Sequence, residues 1–192
     1  MLVHARMKRA VFAVALVAAS SGVASAGGYI GLGIGTAPAV NGSNLESYNA
    51  TTREDGRSGR LVGGFRFGRF AIEGAIGKFD FVYDDGNLFA FTAYQAQVSG
   101  KFTLPLQDGF GVFGRVGLHK QWFNAQRADF DALDVSGTGI VAGVGVEYRL
   151  PTALDVSLFV DYQYSRGGMS GERLDFGSTS TRMWTLGATI GF

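Results

Sequence analysis

Thr181-Arg182-Met183-Trp184-Thr185-Leu186-Gly187-Ala188-Thr189-Ile190-Gly191-Phe192, the last twelve residues of the chain, decide how the rest is read. Trp184, Leu186, Ala188, Ile190 and Phe192 share one parity, and Met183, Thr185, Gly187, Thr189 and Gly191 share the other. A strict period of two is the side-chain period of a β-strand. One face is apolar with an aromatic ring at each end; the other is small or mildly polar. Aromatic rings favour the membrane–water interface, so the apolar face suits a wall that touches lipid.

Seven earlier stretches alternate in the same way: 28–37, 59–68, 70–78, 90–104, 109–121, 138–150 and 153–165. In 109–121, for example, Phe110, Val112, Val116 and Leu118 stand against Gly111, Phe113, Arg115, Gly117 and His119. The connections alternate too. Gly68-Arg69, Pro105–Gly109 and Pro151–Ala153 are short and rich in turn formers. The stretches 38–57, 80–89, 122–137 and 166–179 are longer and polar, and read as loops. Eight antiparallel strands with short turns at one rim and long loops at the other form an up-and-down transmembrane β-barrel, its short turns periplasmic.

Alternation alone leaves open which face is inside. The polar parity is rich in glycine, including Gly31, Gly33, Gly64, Gly143, Gly145 and Gly187. Glycine weakens a strand unless something needs the space. A solvated surface gains nothing from it, whereas a narrow, crowded lumen does. The polar set is therefore placed inside. It carries Arg60, Arg66, Lys101, Arg115 and Arg149 against Glu73, Glu147, Asp155 and Asp161. Lone buried charges are costly, so near-equal numbers imply a paired lumen network. A tight turn at 151–153 would bring Arg149 opposite Asp155. Eight strands enclose a bore that side chains can fill, so the barrel is expected to be plugged.

The first 26 residues read as a signal peptide, leaving 27–192 as the barrel domain. Arg6, Lys8 and Arg9 make a positive start, Ala10–Ala19 is an apolar run, and Ala24-Ser25-Ala26 offers a small-x-small cleavage site. An N-terminal anchor helix is the weaker alternative, because the apolar run falls short of the roughly 20 residues a spanning helix needs. Met7 is an alternative initiator. Without Arg6, Lys8 and Arg9, fourteen basic residues face sixteen acidic ones, which argues against a nucleic-acid partner. There are 30 glycines, 3 prolines and no cysteine, so an exported chain of this composition must be held by its sheet.

Thr185, Gly187, Ile190 and Phe192 resemble the C-terminal assembly signal of Gram-negative outer-membrane β-barrels. With eight strands and inward Arg and Glu, the chain from residue 27 onward is similar to the small OmpA/OmpX-type barrels. That resemblance implies an outer-membrane location among lipid and lipopolysaccharide. It also implies delivery by periplasmic chaperones and the barrel assembly machinery, and a monomeric barrel with no cofactor. The peptidoglycan-binding domain of full OmpA-like proteins has no counterpart here, so anchoring through it is not expected.

His119, the one histidine beyond the signal segment, lies on the inward parity with no Ser in an adjacent His-x-Ser arrangement, and reads as part of an interior hydrogen-bond network. The carboxylates Asp129, Asp131 and Asp134 lack the Gly and distal Glu of an EF-hand and read as a solvated loop. Gly31-x-Gly33-x-Gly35 mimics a nucleotide fingerprint but opens no helix, so strand packing explains it. Phe79, Phe81 and Tyr83 read as an interfacial belt rising into the second loop. The function expected is a non-enzymatic scaffold presenting surface loops for adhesion, host or lipopolysaccharide contact and envelope integrity. A narrow, porin-like channel for small or apolar solutes is the alternative. N-terminal sequencing of the exported protein is expected to begin at Gly27; a start at Met1 or Met7 would restore the anchor reading.

Overall fold

Phe67 and Phe70 face each other across Gly68-Arg69, and Gly68 takes φ +62°. Glycine first in a two-residue turn matches the strand twist of a hairpin, which a residue with a Cβ would strain. The next turn on this rim is a short 3₁₀ turn, Gln107–Gly109, with Asp108 and Gly109 at φ 57° and 82°. The third, 151–155, is closed by Leu150 N–H donating to Val156 O at 2.9 Å and by the Thr152 hydroxyl donating to Leu154 O.

These turns join the strands of a computed structural model that describes residues 27–36, 38–42, 57–84, 88–127, 130–171 and 175–192. The strands are β1 (Gly27–Thr36), β2 (Ala39–Gly42), β3 (Arg57–Phe67), β4 (Phe70–Asp84) and β5 (Leu88–Pro105). They continue with β6 (Phe110–Arg127), β7 (Phe130–Arg149), β8 (Val156–Gly171) and β9 (Asp175–Gly191). Each wall strand pairs antiparallel with the next, and β1 pairs with β9, so the sheet closes on itself. The short β2 prolongs the β1 side of the wall against β9, making eight staves. From Tyr29 the register runs through Gly64, Glu73, Ser99, Gly117, Val141, Ser165 and Thr181, and returns at Val40. That stagger is what tilts the strands of a closed barrel.

The faces fall as the alternation requires. Leu32, Val116, Leu118, Ile140 and Val144 are exposed on the outer wall, Leu32 at 68%. Tyr29, Val62, Phe113, Val141, Phe159 and Met183 are buried inside, with Val141 at 0%. Exposed apolar side chains on the outside and buried charge on the inside invert a soluble barrel, which fits a bilayer as solvent.

Two expectations change. The stretch 122–137 is largely paired strand: β6 and β7 stay in register to Ala125 and Leu133, with an irregularity before Arg127. The runs 80–89 and 166–179 likewise carry strand to Asp84, from Leu88, to Gly171 and from Asp175. Polarity misled here, because a hairpin that rises beyond the bilayer is wetted on both faces. No glycine or proline lies between Leu118 and Ser136 to break it. Phe79 is the second change: it is buried inside the outer mouth, in a cluster with Ala93 and Met183, and not in an interfacial belt. The period of two simply continues through β4. The side chains of Phe81 and Tyr83, Asp129, residues 43–56 and the signal segment lie outside the described residues.

At the seam, Phe192 N–H donates to Gly28 O at 2.8 Å, and a Cβ on Gly28 would lie 2.6 Å from the Phe192 ring. Phe192 is thus laid over β1 where the barrel closes. Deleting it is expected to lower the folded, heat-modifiable band on unboiled gels, and Gly28→Val to do so partially. An unchanged folded yield would remove Phe192 from the closure.

Candidate functional site

The lumen gathers six of the nine charged residues into one chain. Arg60, on β3, donates to Asp161 Oδ2 on β8 at 2.8 Å and to Gln163 Oε1 at 2.9 Å. Arg115, on β6, lies 3.0 Å from the same Asp161 oxygen and 3.3 Å from Glu73 Oε2 on β4. Lys101, on β5, lies 3.8 Å from Glu73 and donates to Glu147 Oε2 on β7 at 2.6 Å. The order Arg60–Asp161–Arg115–Glu73–Lys101–Glu147 alternates in sign from end to end. Asp161 is 0% exposed. Charges so deep are tolerable only when paired, and here each anion but the last touches two cations.

Aromatic rings complete the plug. The Tyr29 hydroxyl donates to Glu73 Oε1 at 2.7 Å. Lys101 Nζ sits 4.2 Å from the centre of the Phe113 ring, with the Arg115 guanidinium 5.0 Å away. Arg60 lies over Phe159 at 5.6 Å. Cations over ring faces gain from the ring quadrupole when desolvated. Space for these rings comes from the glycines. A Cβ on Gly145 would lie 2.5 Å from Phe113, and one on Gly64 2.9 Å from the Tyr29 hydroxyl. Gly33 and Gly187 face each other across the β1–β9 seam, beneath the tip of Phe159.

The remaining three charges sit at the turn-side rim. Asp155 lies 3.1 Å from Arg149 and 3.4 Å from Arg66, and Arg149 is 57% exposed in its side chain. Among the C-terminal four, Thr185 is buried in the lumen, Gly187 lies under Phe159, and Ile190 and Phe192 face outward. His119 is buried inside with its ring toward the Arg166 backbone, and neither nitrogen makes a hydrogen bond of good geometry. Among the described residues no cluster of His, Asp or Glu is arranged as metal ligands.

Tyr29, Phe113, Phe159 and Gln163 join the network without carrying a charge that would mark them in the sequence. Their inward parity was the available signal. Above the charged chain, Gln95, Gln97, Ser99 and Gln121 bring a neutral polar lining to the outer half of the bore.

Arg115→Gln takes one of two cations from both Glu73 and Asp161 and leaves the buried chain one positive charge short, and is expected to lower stability by about 3–5 kcal/mol. Arg149→Gln breaks an exposed pair and should cost less than about 1 kcal/mol. Urea unfolding of the folded barrel in lipid vesicles reads both. Equal midpoints would mean that the bore is wet and the network screened.

The model of the OmpA-like transmembrane domain family matches residues 24–189. No curated protein matches the sequence. Among solved structures, neisserial surface protein A is similar at TM-score 0.66 and 16% identity, over 86% of this chain and 97% of that one. Ail of Yersinia pestis, in complex with the heparin analogue sucrose octasulfate, is similar at TM-score 0.58 and 15% identity, over 88% and 99%. OprG of Pseudomonas aeruginosa is similar at TM-score 0.55 and 14% identity, over 88% and 97%. At these identities the likeness establishes the fold. With the family match spanning the described barrel, the chain belongs to the OmpA-like transmembrane domain family and is a β-barrel of the Gram-negative outer membrane.

Proposed function

We propose that this protein is a non-enzymatic scaffold whose outer hairpins contact host surfaces, other cells or lipopolysaccharide and support envelope integrity. The observation that carries the reading is the filled bore: Arg60, Asp161, Arg115, Glu73, Lys101 and Glu147 link staves on opposite sides of it. The chain's unassigned polar surface then lies beyond the bilayer. There β6 continues from Lys120 to Arg127, about 20 Å of strand at roughly 3.3 Å per residue. Binding residues concentrate on such projections from a rigid frame. The heparin analogue in the Ail structure makes an anionic polysaccharide a reasonable first probe.

Delivery belongs to the same reading. Residues 1–26 act as a cleaved signal, and Thr185, Gly187, Ile190 and Phe192 act as the signal read by the barrel assembly machinery after periplasmic chaperones. The folded protein is a monomer.

A narrow channel is the second reading, favoured by the neutral polar lining of the outer half. Gln95, Gln97 and Ser99 each keep a buried polar atom there without a hydrogen-bond partner among the described residues, which water would satisfy if the bore were wet. Transport would require the charged chain below to open. One experiment separates the two. Replacing Phe123–Val135 with a tight turn should leave the heat-modifiable fold intact and abolish binding to heparin-coated surfaces or host cells. Parent-like binding by the trimmed barrel, or discrete conductance steps from the intact barrel in planar bilayers, would transfer the function to the bore.

A further inference from the structure

On the β6–β9 side of the barrel, three cations stand on the lipid-facing parity, where nearly every neighbour is apolar or small. Lys120 on β6, Arg166 on β8 and Arg182 on β9 are all exposed. In register, Lys120 faces Thr138, Arg166 faces Ile140 and Ser180, and Arg182 faces Tyr164. Arg182 is therefore diagonal to Arg166, about 7–8 Å away across one strand pair. Lys120 lies two strands from Arg166, roughly 10 Å off. Ile140 stands between Lys120 and Arg166, and in the row toward the outer mouth, level with Lys120, the wall drops to Thr138, Gly168 and Ser178, where a Cβ on Gly168 would meet nothing within 4 Å.

Their height on the wall fits a headgroup. Val156 to Arg166 is about 33 Å of strand at roughly 3.3 Å per residue, or about 25 Å along the axis at a tilt of about 40°. That is the thickness of the apolar band of an outer-membrane barrel, and Val156 begins at the turn-side rim. The cations thus emerge at the outer boundary, where a charge on the lipid face costs little.

Local contacts hold them against the wall. Arg166 Nε donates to Ser178 Oγ at 3.1 Å. Lys120 lies over Trp122 at 5.5 Å and Arg182 over Tyr164 at 6.0 Å. Among the described residues none of the three is in an ion pair. Like charges this close repel unless an anion sits between them.

A second feature lies directly beneath. A groove of about 710 Å³ runs down the outer wall from Tyr164 and Tyr162 over Ala142, Gly114 and Gly100 to Phe102. Small residues form its floor and bulky ones its sides. Tyr164 belongs to both features, at the head of the groove and under Arg182.

We propose that this face of β6–β9 is a lipid A site of the outer leaflet. A lipid A phosphate sits among Lys120, Arg166 and Arg182 above the Thr138 and Ser178 hydroxyls, and one acyl chain lies in the groove below Tyr164. The site uses the wall and not the hairpins, so it goes beyond the function proposed above.

Both tryptophans of the sequence flank it, Trp122 and Trp184, so their fluorescence reads occupancy. The barrel folded in phosphatidylcholine nanodiscs would be titrated with bis-phosphorylated lipid A, with dephosphorylated lipid A and with phosphatidylglycerol. Bis-phosphorylated lipid A should bind most tightly. Lys120→Gln, Arg166→Gln and Arg182→Gln should each weaken it roughly fivefold, and the triple variant roughly a hundredfold. Arg166→Lys should keep most of the affinity, and Arg69→Gln at the opposite rim all of it. Ala142→Phe, which fills the groove, should weaken both forms of lipid A alike. The hairpin-trimmed barrel should titrate as the parent does, which separates this site from the hairpins. Equal binding of the dephosphorylated lipid or of phosphatidylglycerol, or parent-like affinity in the glutamine variants, would overturn the assignment.

Discussion

A backbone N–H or C=O inside a bilayer has no water to turn to, and that constraint organises this protein. Every stave must find a partner on both sides, so the first and last must find each other. They do so over Tyr29–Gly35 and Thr185–Gly191. The closure is tight because both edges are built from small residues. Gly31, Gly33 and Gly35 lie against Thr189, Gly187 and Thr185, and at Gly31 and Gly35 a Cβ would collide with the partner strand's backbone. The glycines that resemble a nucleotide fingerprint in sequence are the fit of this seam.

Closure dictates the interior. A sheet whose apolar face meets lipid has only its other face left for the bore, and eight staves leave that bore narrow. Charge inside must then be neutralised inside. The alternating chain from Arg60 to Glu147 does this with side chains from six different strands, so it also cross-braces the barrel. Its geometry depends on glycine elsewhere, since Phe113 and Phe159 reach the cations only across Gly145, Gly33 and Gly187. Charge pairing, ring stacking and missing side chains are one packing solution. The same polarity inversion makes Lys120, Arg166 and Arg182 conspicuous: they are charges that β6, β8 and β9 turn outward.

The alternation in the sequence was enough to determine the number of staves, their direction, and which parity meets lipid. It was enough because a period of two has only two faces, and the glycine-rich, charged one cannot be the lipid side. The near balance of nine lumen charges also announced pairing. Strand ends were a different matter. Trp122–Val135 reads as loop by its polarity, yet it pairs, because beyond the bilayer no apolar pattern is required of a strand. Phe79 reads as belt by its chemistry, yet its place in an unbroken β4 turns it inward.

Only the closed tertiary structure decided who pairs with whom. Nine charges in one lumen allow many matchings, and the stagger of the barrel selects among them. It brings Arg60 beside Asp161, about a hundred positions away in the chain, and leaves Asp155 to the exposed Arg149 and Arg66. It also recruits Tyr29 and Gln163, which carry no charge to announce them. Parity is a local property of a strand and can be read from the residues alone. Height in the bore is set by the register of all eight staves at once, and no single stretch of sequence contains it.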